Sequence, residues 1–161
     1  MPDKSLDSLS SDFYPKACIL IARCCARGVP TMIAQTSRTM AEHQTNLANG
    51  TSGTSLSLHL PRSMRWQDSM MILNPADADK SDAIDLVPYD VFQLHGPDKV
   101  KWDGSDPAWG IIGEEAERLG LRWGGRWLKP VDLGHAELLL PWKAKYIAEE
   151  RSRPWPTFRA A

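Results

Sequence analysis

The stretch that constrains the fold most strongly is Ala83-Ile84-Asp85-Leu86-Val87-Pro88, in which one carboxylate stands among apolar residues. A short apolar run of this kind is typical of a strand buried in a sheet. A carboxylate inside such a strand needs a cation or a metal ion as its partner, because burying an isolated charge is costly. The stretch therefore predicts a core strand and, at Asp85, a candidate site.

Helical patterns and strand patterns alternate on both sides of this strand. Apolar residues recur at helical spacing over residues 14–27, 40–47, 105–119 and 142–150, whereas strand patterns cover residues 29–35, 56–60 and 136–140. Helices at both ends with short strands between them predict an α+β domain.

Length and composition exclude several classes of protein. The 161 residues suit one domain, and we expect the whole chain, residues 1–161, to form it. A net charge of −1 gives no strong attraction to nucleic acid, so we expect no nucleic-acid partner. No run approaches the roughly 18 apolar residues that a membrane span needs. Seven tryptophans indicate large rings in the core or along a binding groove.

The ends of the chain carry weaker signals. We expect residues 1–12 to be a flexible lead and residues 151–161 to be a loosely held basic tail. No secretory signal is recognisable in the polar first residues, which predicts a protein made in the cytoplasm. Cys18, Cys24 and Cys25 are too few and too close together for a disulfide framework or a zinc knuckle, and we expect reduced thiols on a helix.

Two of the four histidines are candidates for a site. His59 and His135 each lie beside apolar residues on a strand-like segment, where an imidazole must be hydrogen-bonded or bound to a metal. A satisfied core histidine is the plainer interpretation of each from spacing alone. His43 and His95 lie among polar residues and in a turn, respectively, and we expect both at the surface.

Carboxylates surround His135. Asp132 lies three residues before it and Glu137 two residues after it, which on a strand places His135 and Glu137 on the same face. A histidine and a carboxylate together can serve a metal centre, one as a ligand and the other as a general base on bound water. With Asp85, two histidines and one aspartate make a ligand set that zinc accepts, leaving a fourth position for water.

Three segments, in order along the chain, resemble the zinc peptidases of the D-alanyl-D-alanine carboxypeptidase and L-alanyl-D-glutamate endopeptidase family, which includes many bacteriophage endolysins. The segments are Thr-Ser-Arg-Thr-Met-Ala-Glu-His-Gln at residues 36–44, Ser57-Leu58-His59 followed by Asp-Ala-Ile-Asp-Leu-Val-Pro at residues 82–88, and Glu-Arg-Leu-Gly-Leu-Arg-Trp-Gly-Gly-Arg-Trp at residues 117–127 followed by Asp132-Leu133-Gly134-His135. The third block is the most specific, and the resemblance spans roughly residues 17–140.

The resemblance implies a fold and a site. The fold would be a small antiparallel sheet flanked by helices, of the D-Ala-D-Ala carboxypeptidase and hedgehog type. Zn²⁺ would be bound by His59, Asp85 and His135. Asp132 matches the catalytic acid/base, and Arg38 matches the arginine that holds the substrate carbonyl and its developing oxyanion.

Four further residues are expected to contact or support the substrate cleft. Ser57 is a hydrogen-bonding partner near the first ligand by its family position. Trp123 and Trp127 bracket a glycine pair shortly before the last ligand, so we expect both rings to shape the wall of the cleft. Glu137 has two interpretations, as an alternative base or as a residue that supports His135.

The sequence departs from the family pattern between the first two ligands. His59 and Asp85 are 26 residues apart, whereas the family's compact motif has about seven with a glycine between them. The simplest explanation is an insertion at residues 63–81, which would cover the cleft, contact the glycan or pack against the body of the domain. If that explanation is wrong, Asp82 could be the ligand in place of Asp85, or the site could be inactive.

The resemblance implies a zinc-dependent peptidase that hydrolyses the stem peptide of peptidoglycan, at the L-alanyl-D-glutamate bond. Such an endolysin-like enzyme would act on the cell wall after release from the host cytoplasm, and we expect a monomer. The alternative within enzymes is a D-alanyl-D-alanine carboxypeptidase. The alternative of another class is a non-catalytic module that binds zinc or a peptide.

Overall fold

Four helices and four strands make up the regular structure of the computed structural model, which describes residues 2–52, 57–65, 74–92 and 99–158. The helices are α1 (Tyr14–Ala26), α2 (Met40–Ala48), α3 (Ala108–Arg118) and α4 (Ala144–Ser152), and the strands are β1 (Thr31–Gln35), β2 (Ala83–Pro88), β3 (Arg122–Trp123) and β4 (His135–Glu137). The predicted α+β class and the small antiparallel sheet are confirmed, and no described helix is long and apolar enough to cross a membrane.

The sheet has the order β1-β2-β4-β3, and every neighbouring pair is antiparallel. Because side chains alternate along a strand, its two faces differ in chemistry. One face presents Ile84, Ala136 and Trp123 in register to the core, where α1 and α3 cover them. On the other face Asp85 lies directly opposite His135. The register of β2 and β4 thus brings together two of the three expected ligands.

Trp123 was expected at the wall of a cleft, but it lies in the core. Only 1% of its surface is exposed, and its indole N–H donates to the carbonyl of Leu133 at 2.8 Å. A Cβ at Gly113 or Gly125 would lie within 2.6 Å of its ring, so both positions leave room only for glycine. The Trp-Gly-Gly sequence is therefore a packing motif at this tryptophan.

The described residues at both ends, 2–12 and 151–158, make contacts with the body of the domain, contrary to the expectation of a flexible lead at residues 1–12 and a loose tail at residues 151–161. Leu9 is buried in the core and pairs with Ser81 in an isolated bridge. In the tail, Trp155 stacks on Trp123 with ring centroids 5.0 Å apart, and Arg126 lies over the Trp155 ring at 4.4 Å. These contacts are consistent with a single packed unit.

Helix α2 begins with a capping box. The Thr39 side chain accepts a hydrogen bond from the backbone N–H of Glu42, whose carboxylate in turn accepts from the Thr39 backbone. His43, expected at the surface, is 2% exposed, because its helix turns that position toward the domain. His95 lies outside the described residues.

The described part of the insertion at residues 63–81 packs against the body of the domain. The backbone N–H of Ser63 donates to the carbonyl of Ala78, which closes the insertion at its base. Asp77 is buried and accepts hydrogen bonds from the backbone and the hydroxyl of Ser11. This contact fastens the insertion to the N-terminal segment, whereas residues 66–73 lie outside the described residues.

Candidate metal centre

Three side-chain atoms converge on one point at the edge of a cleft. His59 Nε2 lies 3.0 Å from Asp85 Oδ1 and 3.2 Å from His135 Nδ1, and the last two atoms are 2.9 Å apart. This triangle of two imidazole nitrogens and one carboxylate oxygen is the only group of possible metal ligands found in the described part of the chain. His59 and His135 are nearly fully buried, whereas the Asp85 side chain is 21% exposed.

His59 reaches the triangle from a turn at residues 57–60, not from the strand that the sequence suggested. The flanking Leu58 and Leu60 are buried, which fixes the turn against the domain. Its backbone is held on both sides: the His59 carbonyl accepts from the N–H of Arg38 at 2.9 Å, and the Leu58 carbonyl accepts from the N–H of Asp82 at 2.9 Å. The turn is thus tied to the start of β2.

In each histidine, one ring nitrogen lies in the triangle (the inner nitrogen) and the other points away from it (the outer nitrogen). The hydrogen bond of the outer nitrogen determines whether the inner nitrogen carries a proton or a lone pair. His59 Nδ1 lies 2.9 Å from the carbonyl oxygen of Thr36, which can only accept, so Nδ1 carries the proton. His135 Nε2 lies 3.0 Å from Oε2 of Glu137, which likewise accepts. In neutral imidazoles both inner nitrogens then present lone pairs to Asp85, an arrangement that a metal ion satisfies.

The electrostatics of the cluster also call for a cation. Burial disfavours a charged His135, but the hydrogen bonds that its imidazole donates to Asp85 and Glu137 outweigh this effect and raise the pKa of His135 to about 10. Two carboxylates thus hold positive charge between them. A divalent ion at the triangle would supply that charge in place of the proton, and the two-histidine, one-carboxylate donor set is one that Zn²⁺ accepts. The residues present therefore fit the metal.

Glu137 has the contacts of a residue that supports His135, which was one of its two interpretations. Its side chain is 2% exposed, and Oε1 accepts from Arg122 Nη1 at 2.7 Å and from Lys143 Nζ at 2.8 Å. Arg122 in turn pairs with Glu150 on α4. Both carboxylate oxygens of Glu137 thus accept hydrogen bonds from the chain, so the residue fixes the His135 imidazole while it lines the cleft.

Asp82 is not a ligand. Its carboxylate is completely buried and accepts hydrogen bonds from Arg62, Arg65 and Ser10, with Arg62 Nη2 at 2.8 Å and Arg65 Nη2 at 2.6 Å. Two guanidinium groups already neutralise it, and it takes no part in the triangle. The structure thus places Asp85, of the two candidates, among the possible metal ligands.

The triangle opens into a cleft of about 660 Å³, lined by several residues that the sequence singled out. They are Arg38, Ser57, Trp127, Asp132 and Glu137, in addition to the triangle itself. The Trp127 ring lies 4.9 Å from the His135 ring, so this tryptophan does shape the wall as expected. Arg38 donates to the side-chain oxygen of Gln35, which holds its guanidinium beside the cleft.

Ser57 and Asp132 contact the site through different means. The Ser57 hydroxyl accepts from the backbone N–H of His59 at 3.3 Å, as its expected place beside the first ligand requires. Burial and the nearby charge of Asp85 raise the pKa of Asp132, despite the opposing effect of His135. A carboxylate whose pKa is raised is better suited to accept and return a proton.

Gly124 explains the spacing of the last block. A Cβ at this position would lie 2.4 Å from the carbonyl oxygen of Asp132 and 3.1 Å from the Cβ of His135. The backbone N–H of Asp132 also donates to the Gly124 carbonyl at 3.1 Å. The glycine thus allows the turn at residues 132–135 to pack tightly enough to place both side chains at the cleft.

Sequence reasoning missed the residues behind His135. Arg122, Lys143 and Glu150 come from β3, the turn before α4 and α4 itself, and none of them was predicted as a site residue. Their one shared signal is that all are charged yet nearly buried, and burial is not visible in a single sequence. The guanidinium of Arg122 also lies over the Trp127 ring, 4.7 Å from its centroid, and this contact could not be predicted from sequence spacing.

Comparisons with known proteins agree with this site. The family profile described as D-alanyl-D-alanine carboxypeptidase matches residues 80–138, which contain Asp85, Asp132, His135 and Glu137. The fold is similar to the crystal structure of the L-Ala D-Glu endopeptidase ChiX of Serratia marcescens, with a TM-score of 0.52 and 18% identity over 89% of this chain and 95% of that chain. No curated protein matches the sequence. The profile match agrees with the resemblance over residues 80–138, and the match to ChiX shows a shared fold.

Proposed function

We propose that this protein is a zinc-dependent peptidase that hydrolyses the stem peptide of peptidoglycan at the L-alanyl-D-glutamate bond. The observation that carries the proposal is the convergence of His59, Asp85 and His135 at the edge of a cleft that also presents Asp132 and Arg38. His59, Asp85 and His135 would hold the ion. When bound, Zn²⁺ lowers the pKa of a water molecule toward 7 and polarises the scissile carbonyl.

The residues of the chain divide the remaining work. Asp132 accepts the proton of the attacking water and returns it to the leaving amine, for which its raised pKa is suited. Arg38 directs its guanidinium at the substrate carbonyl and stabilises the oxyanion that develops there. Glu137 keeps His135 in the tautomer that leaves Nδ1 unprotonated.

The second candidate is a D-alanyl-D-alanine carboxypeptidase, which the description of the matching family profile favours. Both reactions release an amine from a residue that carries a free α-carboxylate, so the residues named above would serve either. The name of the structural neighbour ChiX favours the endopeptidase.

We also propose an endolysin-like role, in which the enzyme is made in the cytoplasm of a host cell and acts on the wall after release. Support comes from the resemblance of three sequence segments to a family that includes bacteriophage endolysins. Lysis of host cells on intracellular expression together with a membrane-permeabilising protein would support this role. Wall cleavage in a test tube without such lysis would contradict it.

Digestion of purified peptidoglycan tests the proposed function. The zinc-loaded protein is incubated with peptidoglycan, with and without chelator, and soluble fragments are identified by mass spectrometry. We expect new amino termini at D-glutamate that disappear with chelator and return with added Zn²⁺. Free D-alanine as the main product would establish the carboxypeptidase instead. Absence of any peptide cleavage by the zinc-loaded protein would contradict both enzymes and favour a binding module.

A further inference from the structure

A second cavity adjoins the cleft on the other side of the reactive residues. It has a volume of about 340 Å³ and shares Asp85 and Asp132 with the larger cleft, so both residues stand where the two cavities meet. An extended substrate held at this junction can occupy both cavities at once. The scissile bond of such a substrate would lie between two binding regions of different character.

The two cavities differ sharply in charge. The larger cleft is lined by six cationic and four acidic side chains. Three of the cations, Arg38, Lys129 and Lys145, contact no carboxylate in the part of the chain that the structure describes. Among the described residues, Asp85 and Asp132 are the only charged ones that line the smaller cavity. We call the first the basic cavity and the second the apolar cavity.

The apolar cavity presents aromatic and aliphatic surface to solvent. Trp102 and Val131 line it with 63% and 56% of their surfaces exposed, beside the buried Trp109. The indole N–H of Trp109 donates to the carbonyl of Asp103, which fixes the floor next to Trp102. Exposed apolar side chains of this size at a cavity adjoining a reactive centre are typical of a binding surface.

We propose that the apolar cavity binds the glycan-side half of the substrate, the N-acetylmuramoyl-L-alanyl group, while the basic cavity binds the half that begins with D-glutamate. The inference rests on the proposed function. It follows from charge complementarity, because the lactyl ether and L-alanine carry no charge, whereas D-glutamate and the residues after it carry free carboxylates. The sugar ring would pack on the exposed face of Trp102.

This orientation makes the muramoyl group part of what the enzyme recognises. A D-alanyl-D-alanine carboxypeptidase cuts the far end of the same stem, where the muramoyl group is several residues from the scissile bond. The apolar cavity would then hold peptide, and the sugar would have no influence. Dependence of cleavage on the sugar therefore distinguishes the inference from the alternative enzyme.

A pair of substrates tests the proposal: the free stem pentapeptide and the same pentapeptide with N-acetylmuramic acid on its L-alanine. Zinc-loaded wild type, Trp102→Ala, Trp102→Phe and Phe92→Ala are compared by kcat and KM on both. Phe92 is a matched control, since it is 85% exposed and lines neither cavity. We expect Trp102→Ala to raise KM for the muramoyl substrate about tenfold and to leave the free peptide nearly unchanged.

Each outcome bears on one claim. Recovery of KM in Trp102→Phe, with no effect of Phe92→Ala, supports the proposal. An equal effect of Trp102→Ala on both substrates, or none on either, overturns it while the proposed peptidase stands. Cleavage of D-alanine alone also overturns it and establishes the carboxypeptidase. If wild type cleaves neither substrate, the proposed function itself fails, and this is known before any variant is compared.

A second pair of substrates in the same experiment tests the basic cavity. The substrate is prepared with D-glutamate or with D-isoglutamine, in which an amide replaces the α-carboxylate. We expect wild type to prefer the free carboxylate and the double variant Lys129→Gln, Lys145→Gln to lose most of that preference. An unchanged preference in the double variant overturns the assignment of the D-glutamate half to this cavity.

Discussion

Asp82 and Asp85 are separated by two residues, yet their carboxylates have opposite surroundings. Asp82 is fully buried and is neutralised by the guanidinium groups of Arg62 and Arg65. Asp85 is one-fifth exposed to the cleft and faces the nitrogens of His59 and His135. The first carboxylate has its positive charge built into the chain, whereas the second lacks a permanent one. The partner of a buried carboxylate, and not its burial, therefore distinguishes a structural ion pair from a metal site.

The largest effect is expected from Asp85→Asn. The substitution removes the one anionic ligand of the triangle, so zinc binding should be lost and hydrolysis should fall by more than the roughly 100-fold that loss of an outer partner costs. Zinc content by elemental analysis and fragment release from peptidoglycan measure the two effects. Retention of stoichiometric zinc with full activity would remove Asp85 from the site.

The matched variant Asp82→Asn should affect stability instead. It leaves two buried guanidinium groups without their shared carboxylate, a change that costs about 3–5 kcal/mol in the free energy of unfolding. Urea unfolding of the metal-free protein measures this loss, and zinc affinity at low temperature should stay close to that of wild type. A variant as stable as wild type would contradict the structural role of Asp82.

Glu137→Gln should have an intermediate effect on the metal. The amide can still accept from His135, but the negative charge beside Arg122 and Lys143 is lost, and zinc affinity should fall roughly 10- to 100-fold. A competition titration with a chromophoric chelator gives the value. Glu117→Gln is the matched control, because Glu117 pairs with Arg126 and does not line the cleft. Equal zinc affinities in the two variants would exclude the supporting role.

The smallest effect is the acid dependence of stability. Burial alone would raise the pKa of Asp82, but Arg62, Arg65 and Ser10 outweigh it, so its pKa in the folded protein lies below the ordinary value of 3.8. Its stabilising contribution is therefore present above pH 3.8 and is lost as the pH falls below it. Urea midpoints of metal-free wild type should drop more steeply than those of Asp82→Asn between about pH 5 and pH 2. Parallel curves would contradict this.

Local sequence patterns were sufficient to predict most of the helices and strands. The apolar run at residues 83–88 became β2 with the bounds that the sequence indicated, and α1 begins at the predicted residue, Tyr14. These elements follow from periodicity, which a single sequence contains. The expectation of loosely attached ends was wrong because Leu9 and Trp155 pack on residues distant in the sequence, Ser81 and Trp123 respectively.

Some site residues could be predicted from the sequence, and others depend on packing. His59, Asp85 and His135 occupy positions of the family motifs, and the structure brings them together. The family resemblance, however, could not separate the two tryptophans around the glycine pair: Trp127 faces the cleft, and Trp123 fills the core. Their difference arises from strand register and from the space above two glycines, which depend on tertiary packing.

The most direct test of the central claim is zinc-edge X-ray absorption of the protein loaded with one equivalent of Zn²⁺. Asp85, His59 and His135 predict a first coordination shell of two imidazole nitrogens with the remaining ligands oxygen, and no sulfur. Asp82→Asn should give the same spectrum as wild type. A shell that contains sulfur from a cysteine, or one without imidazole, would contradict the assignment of the metal site.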